Sequence, residues 1–485
     1  MADVVVVGSG PNGLAAAVIL AAAGLEVEVY EASDALGGGC RTAEVTLPGF
    51  RHDICAGAHP MAAASPFFRA FDLAAHGVEL LTPEASYAHP LDGGVAGVAW
   101  RDLDRTVEEL GADGKAWRSL FGPLVREWRA MVDVAMSDMR HIPISATTIR
   151  FGLRMLEQGS PLWNARFRGR IAPALFTGVA AHVIDRPRAL PAVAAGTLLA
   201  TLAHVDGWVI PRGGSQSIVN ALAESLRRRG GRVITGHRVD SLDEFTGARA
   251  VLCDTSPAEL VRIAGDRLPA RYRRTLTRYR YGGAATKVDF ALSGPVPWAA
   301  PGCAEAGTLH VVGTRAEALA TEYTVIGGRH SERPYLIVIQ PDVVDPDRAP
   351  AGNHTLYTYA HVPNGSDRDI REQVIAQIER FAPGFRDLIL ATHMCTAAEM
   401  PTYNANYVGG DIAVGAMSLG QTVFRPAPRW NAYATPLTGV YLCSSATSPG
   451  AGVHGMCGLY AARHALRTDF GIHTDPPRLL AAQYS

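Results

Sequence analysis

The chain has 485 residues, of which 48% are hydrophobic and 19% charged, and its formal net charge is −1. That length accommodates two or three domain-sized units, and the near-neutral balance removes any electrostatic case for nucleic acid as a partner. Its seven cysteines (Cys40, Cys55, Cys253, Cys303, Cys395, Cys443 and Cys457) show neither C-x-x-C nor C-x4-C spacing, which excludes a disulfide redox pair and fits free thiols in a reducing cytoplasm.

Val4–Val7 is a short, β-branched, fully apolar run, as a buried parallel strand requires. It leads into Gly8-Ser9-Gly10-Pro11-Asn12-Gly13, a G-x-G-x-x-G loop that opens a helix. Gly8 permits the tight turn, Gly10 lets backbone approach a pyrophosphate, and Gly13 lets the helix pack close to the strand. The helix N-terminus near Pro11 offers unpaired N–H groups to phosphates. A second strand, Glu26–Tyr30, ends at Glu31, eighteen residues after Gly13, where a carboxylate can take both hydroxyls of an adenosine ribose. Ser9, Asn12 and Ala32 belong to the same expected dinucleotide site.

Gly37-Gly38-Gly39-Cys40-Arg41-Thr42 follows directly, then His52-Asp53 and Gly57-Ala58-His59-Pro60. Apolar residues recur at helical spacing from Trp117 to Met139 and again from Ile149 to Leu156, which predicts a helical insert over the substrate. The run Ala189–Val205 contains Pro191, Gly196 and His204 and falls short of the roughly 20 strongly apolar residues of a spanning helix. It reads as a buried or channel-lining helix, with a membrane-dipping segment as the alternative. Ile210–Ser215 opens an amphipathic helix, followed by a strand at Arg232–Thr235, then Val239, then a strand at Ala250–Asp254 that would complete the first sheet. Alternating runs at Thr286–Leu292, Thr308–Val312, Tyr335–Gln340 and Thr355–His361 predict a mixed sheet flooring a cavity. Near the end, Gly439–Cys443 is a strand, and Ser444–Gly458 leads into a helix from Leu459 to about Arg467. Gly450, Gly452 and Gly455 spell a second G-x-G-x-x-G, but no alternating strand ending in an acid follows it. One nucleotide fold therefore predicts one bound cofactor.

These three segments resemble the phytoene desaturase family within the amine oxidase flavoprotein superfamily, over nearly the whole chain and most specifically at its two ends. The resemblance implies FAD and an α/β fold. A Rossmann-like FAD-binding domain, a parallel sheet with helices, would comprise residues 1–70, 210–280 and 421–485. A discontinuous substrate domain of mixed β-sheet and helical insert would comprise residues 71–209 and 281–420. It also implies that Gly38 and Gly39 approach the flavin end, that Arg41, with Thr42, pairs with the pyrophosphate, and that Val239 reads the adenine edge. The helix entered through Val453, Gly455 and Met456 would face the flavin N1–C2=O edge, and Gly57, Ala58, Ser444 and Ser445 would also meet the cofactor. Two departures lie near the expected reacting face: Ser448-Pro449-Gly450-Ala451-Gly452 stands where relatives carry His-Pro-Gly-Gly-Gly, and Cys55 where they often carry glycine.

Among candidates for chemistry, Lys287 looks like the amine oxidase lysine that holds a water at flavin N5. Only it and Lys115 are lysines among 45 basic residues, so a compact ammonium is expected to matter there. His59, His454 and His310 are expected near the flavin, with His52 close by, Asp53 ordering its loop and Cys457 a buried thiol. No G-x-S-x-G, H-E-x-x-H or zinc-finger spacing occurs, so no metal is expected. The implied function is hydride removal from a small apolar or polyene-like molecule, with dioxygen or a quinone reoxidising the flavin. The alternatives are oxidation of an amine or amino-acid-derived substrate, flavin-dependent isomerisation without net redox, and a non-catalytic assembly role. A small-molecule partner and a cytoplasmic location are expected, with peripheral membrane contact left open; the sequence says nothing of oligomeric state.

Overall fold

The computed structural model describes residues 2–139 and 142–481. Of the expected FAD-binding domain, residues 1 and 482–485 lie outside them, as do residues 140 and 141 of the insert.

Five strands form one parallel sheet. In chain order they are β1 (Val4–Val7), β2 (Val27–Tyr30), and the later strands at Arg232–Ile234, Ala250–Cys253 and Val440–Leu442. Their spatial order is Val440–Leu442, Ala250–Cys253, β1, β2, Arg232–Ile234, every pairing parallel. β1 is buried on both faces, which explains its unbroken run of valine. The helix α1 (Pro11–Ala22) leaves it on one side, almost wholly apolar and buried from Asn12 to Ala21. Against α1 packs the helix Met456–Asp469, where the missing Cβ of Gly458 lets it close on the Asn12 carbonyl. Widely separated stretches of chain thus build a single nucleotide-binding layer.

The second sheet has seven strands and is mixed. Its order is Ile389–Cys395, Ala284–Leu292, His354–Val362, Leu336–Ile339, Ala306–Val311, Ala85–Leu91 and Val95–Trp100. Only the junction between Ala306–Val311 and Ala85–Leu91 is parallel. The four predicted strands here are present with bounds shifted by a residue or two. Three strands were not anticipated. The hairpin Ala85–Leu91 and Val95–Trp100 lies in the part of the expected substrate domain ahead of the helical runs, where no element was predicted. Its first strand is buried at every position, so no alternation marks it, and Pro90 argues against a strand. Ile389–Cys395 is a half-buried edge strand with weak alternation.

The insert is helical beyond that hairpin. Its first long run divides into Gly114–Arg126 and Trp128–Ala135, because Pro123 lacks an amide donor and Glu127 leaves helical geometry. Helices follow at Ala146–Gly159, Ile171–Ala180 and Leu190–Ala203. The last accounts for the apolar run Ala189–Val205 and is packed on neighbouring helices. Among the described residues, no helix is long and apolar enough to cross a membrane.

Candidate cofactor and active site

A cavity of about 670 Å³ opens at the carboxyl ends of the parallel strands, where ligands of open α/β sheets bind. Its wall carries Gly8, Ser9, Gly10, Pro11 and Asn12 of the fingerprint, Glu31 and Ala32 after β2, and Gly38, Gly39 and Arg41. Val239, Ser444, Ser445 and Val453 complete the expected residues on it. Gly13, Thr42, Gly57, Ala58, Gly455 and Met456 are not on the wall. Gly13 packs against the Gly8 carbonyl as its role in helix–strand contact requires, while Thr42 donates to Asp53 Oδ1 at 2.7 Å. Gly57 closes against Ile339, and Gly455, in the left-handed region at φ 68°, against Phe67.

The residues fit a dinucleotide. Asn12 Oδ1 and Thr255 Oγ1 are buried on the cavity wall without a hydrogen-bond partner. A Cβ on Gly10 would stand 2.5 Å from Asp254 Oδ2, and one on Gly38 only 3.2 Å from the Gly10 Cα. Glu31 is held ready by its own loop: Ser9 donates to Oε2 from its N–H at 3.0 Å and its hydroxyl at 2.5 Å, and Ser33 N–H donates to Oε1 at 2.9 Å. Tyr30, His237, Arg238 and Val239 enclose the side near Glu31.

Arg41 is not free in the way its expected pairing with a pyrophosphate suggests. It donates to the Tyr403 carbonyl at 2.6 Å, the Tyr403 hydroxyl at 3.0 Å and Ser33 Oγ at 3.0 Å, and its guanidinium lies 3.7 Å from the Tyr403 ring centroid. Tyr407 stacks on Tyr403 at 6.4 Å and presses its hydroxyl towards Gly39. Both tyrosines were missed. They lie some 365 residues from the glycine loop, and no local pattern announces them.

Asp254 was read only as the end of a strand. It stands beneath the fingerprint, accepts the Gly13 N–H at 2.9 Å, and is pushed up to about 7, chiefly by burial. Its position at the carboxyl end of a parallel strand was the available signal.

The expected histidines do not reach the cavity wall. His454 is fully buried, accepts the Met456 N–H on Nδ1 at 3.0 Å and donates from Nε2 to the Gly450 carbonyl at 3.1 Å. Both ring nitrogens are therefore spent on backbone. His59 Nε2 lies 2.8 Å from Ser215 Oγ, whose own proton goes to the Ala56 carbonyl, so the imidazole donates there and Nδ1 is left bare. His310 Nε2 meets His182 Nε2 at 2.7 Å inside a cluster with Tyr87, Trp208 and Tyr335. Burial pushes His59 and His454 down to about 4 and His310 well below its ordinary value. All three are neutral near pH 7, because burial outweighs even the Asp53 charge that favours the His59 cation.

Asp53 does more than order a loop. Its Oδ2 accepts from the buried Arg348 at 2.6 Å and its Oδ1 from Ser215 N–H at 2.8 Å, which ties the glycine-rich segment to the mixed-sheet domain. Burial pushes this carboxyl up, but the Arg348 guanidinium outweighs it and holds it below its usual range.

Lys287 faces a second cavity of about 370 Å³, with Asp289, His393, Cys395 and Glu399 on the same wall. Thr402 and Tyr403 stand between it and the first cavity, lining both. Lys287 Nζ donates to Asp289 Oδ1 and sits 3.6 Å from the Tyr357 ring centroid. Tyr357 in turn donates to the carbonyl of Cys55, a residue of the first cavity wall. By this path Tyr357 and Cys55 both stand between the lysine and the expected cofactor space, and Lys287 is not on its wall. Among the described residues, no cluster of His, Cys, Asp or Glu could hold a metal ion.

A profile of the family described as flavin containing amine oxidoreductase matches residues 12–465. The chain is 26% identical to the mouse "Pyridine nucleotide-disulfide oxidoreductase domain-containing protein 2", covering 96% of this chain and 93% of that one. It is 29% identical to a phytoene dehydrogenase of Streptomyces griseus, covering 80% and 77%. The fold is similar to that of cyclohexylamine oxidase from Brevibacterium oxydans, with a TM-score of 0.58, 15% identity and full coverage of both chains.

Proposed function

The chain belongs to the flavin containing amine oxidoreductase family and is an FAD-dependent oxidoreductase; on that premise we propose that it dehydrogenates a small apolar, alkene-bearing molecule, with dioxygen or a quinone as the final electron acceptor. The observation that supports this reading is the wall beyond the glycine loop. There Ala56, Ile412, Val414, Gly452 and Val453 present apolar surface, with no histidine, lysine or carboxylate among them. Oxidising an amine or alcohol calls for management of a heteroatom proton, and these five residues offer no base for it; the cavity's carboxyls and imidazole, Glu31, Asp254, Glu259 and His237, are not among them. Abstraction from a carbon needs mainly a C–H bond held at the right distance and water kept out.

FAD bound here would supply the two-electron acceptor, and the protein supplies position and field. The N–H groups of Gly10 and Asn12, at the α1 N-terminus, would hold the pyrophosphate, and Glu31 the ribose. The first turn of Met456–Asp469 directs its positive end towards Val453, stabilising negative charge at that end of the cavity. Ala56, Ile412 and Val453 orient an apolar substrate by contact alone.

The second reading, amine oxidation, draws on the paired tyrosines, since two aromatic faces can hold a cationic substrate. Here one face of Tyr403 is already covered by Arg41, which weighs against it. The mouse relative's name mentions a pyridine nucleotide and a disulfide; this chain's seven cysteines are all free.

The test is anaerobic mixing of the FAD-loaded protein with a panel of isoprenoid alkenes and a panel of primary amines. Bleaching of the flavin absorbance by an alkene supports the proposal. Bleaching by amines alone overturns it.

A further inference from the structure

A buried guanidinium without a carboxylate stands at the start of the helix Arg315–Ile326. Arg315 is 9% exposed, and its guanidinium lies 3.7 Å from the Trp163 ring centroid. Nη1 donates to Thr177 Oγ1, whose own proton goes to the Pro173 carbonyl. Nε is buried without a hydrogen-bond partner. The bond to Thr177 thus engages one corner of the fork and leaves the edge formed by Nε and Nη2. That edge presents two parallel N–H groups, spaced for two oxygens of a carboxylate or phosphate.

Arg188 is the second cation, and its Nε is also buried without a partner. The missing Cβ of Gly159 lets the Arg188 backbone close on the end of the helix Ala146–Gly159, just before Trp163. Burial above all, with the Arg188 charge beside it, pulls Arg315 down to about 10, so it stays a cation near pH 7. The acids of the neighbourhood are engaged elsewhere: Glu317 accepts from Thr314 and Arg380, and Glu322 pairs with His361, with Asp185 beside it. Among the described residues neither arginine forms an ion pair. Buried charges are ordinarily paired, and a second like charge adds repulsion to desolvation. Nothing within the fold offsets either effect here; an anion on the free edge would offset both.

The arginines stand at substrate length from the cofactor cavity. Arg188 ends the loop that joins the helices Ile171–Ala180 and Leu190–Ala203. In the same loop Ile184 packs against Gly283 and joins an apolar cluster with Tyr359 and Ile412, and Ile412 is on the cofactor-cavity wall. The chain from Ile184 to Arg188 reaches at most about 14 Å when fully extended.

We propose that Arg315 and Arg188 bind the anionic head, a carboxylate or phosphate, of a substrate whose alkene-bearing tail reaches Ile412 at the flavin cavity. The tail rests on the dehydrogenation proposed above; the anion site rests on the arginines themselves. Trp163 covers one face of the Arg315 guanidinium, so the head group is met edge-on.

Calorimetric titration of the FAD-loaded protein with decanoate, decyl phosphate and 1-decanol tests it. These saturated probes carry no allylic hydrogen, so binding is read apart from oxidation. One anion should bind at least about 10-fold more tightly than 1-decanol, and the tighter of the two identifies the head group. Arg315→Gln should weaken that anion about 10- to 100-fold, as loss of a hydrogen bond to a charged group predicts. Arg315→Lys should recover only part of the affinity, because an ammonium lacks the fork. If Arg315→Gln does not fold, Arg188→Gln in the loop decides by the same titration. Binding of 1-decanol as tight as that of both anions, or an anion preference kept in Arg315→Gln and Arg188→Gln, overturns the proposal. Anaerobic mixing with geranate and geraniol separates it from the reading it rests on. Flavin bleaching by both at equal affinity overturns the anion site and leaves dehydrogenation standing. Arg315-dependent binding of decanoate without bleaching by either alkene supports the anion site and overturns dehydrogenation.

Discussion

Gly13 donates its backbone N–H to Asp254 Oδ2 at 2.9 Å, so a buried carboxyl occupies the helix N-terminus that faces the cofactor cavity. Burial pushes this carboxyl up, the Gly13 bond pulls it back and the Glu31 charge adds to the rise, leaving it at about 7. A pyrophosphate brought to the same N–H groups raises it further, so FAD binding takes up a proton. FAD affinity should therefore weaken as pH rises through 7, and Asp254→Asn should flatten the profile. Fluorescence titration of FAD on both sides of pH 7 checks this. The sign for the cofactor-free protein follows from the same shift: folded Asp254 holds its proton above the ordinary carboxyl value of 3.8, so its contribution to stability is lost as pH rises from there through 7.

Glu31→Ala removes the acceptor that three donors of its own loop already preorganise. A hydrogen bond to a charged group contributes about 1.5–3 kcal/mol, so the FAD dissociation constant should rise roughly 10- to 100-fold. Equilibrium dialysis against FAD measures it, and Glu31→Gln should lose less than Glu31→Ala.

Lys287→Met should destabilise the fold by about 3–5 kcal/mol, because Asp289 would then keep a buried charge without its chief partner. Replacing both residues, Lys287→Met with Asp289→Leu, should recover most of that loss, since removing the pair leaves no orphaned charge. Urea unfolding of the two single variants and the double variant gives the coupling. A double variant as unstable as the sum of the single ones would show that the two residues act separately.

His454→Ala should weaken the protein without altering chemistry at saturating FAD. It strips the Met456 N–H of its partner, at about 1–3 kcal/mol for a buried group left unsatisfied, and leaves the Gly450 carbonyl with only the Cys457 thiol as donor. Denaturant midpoints should fall while the rate of flavin reduction per bound FAD stays constant.

Acid should unfold the protein through its buried imidazoles. His59, His89, His204 and His454 are each driven down to about 4 by burial. The unfolded chain takes up their protons first, at about 6.5, so the stability they contribute is full above 6.5 and is lost as pH falls towards 4. Each contributes a slope of about 1.4 kcal/mol per pH unit in that window. Thermal midpoints measured through the window should decline steeply, and His59→Gln should make the decline shallower.

The parallel sheet was legible because its chemistry is local. Val4–Val7, the glycines and Glu31 lie within one short stretch, and each has a fixed distance from the next. Ala85–Leu91 was not legible, because a strand buried on both faces has no polar alternation and carries Pro90. The histidines were overestimated for a different reason. Their neighbours in sequence suggested the flavin, but burial keeps them neutral, and the partners they bond to, Ser215 for His59 and His182 for His310, come from distant segments. Arg41 could be picked out by its place after two glycines, yet the aromatic face it rests on belongs to Tyr403, which nothing nearby predicts. Long-range pairing of this kind is invisible to spacing.

The seam between α1 and Met456–Asp469, with Gly458 against the Asn12 carbonyl, has a bearing on biosynthesis. A ribosome delivers β1, α1 and β2 first, but the strand Val440–Leu442 and the helix that seals α1 emerge only after the whole mixed sheet has been made. Until then α1 exposes an apolar side, and the helix end near Val453 does not yet stand over the cavity. A chain that stops short of Met456–Asp469 would carry the whole glycine loop and Glu31 yet lack the helix end that completes the cofactor cavity near Val453. Ribosomal stalling anywhere in the mixed sheet would leave a product without cofactor and with a sticky flank, a natural signal for disposal.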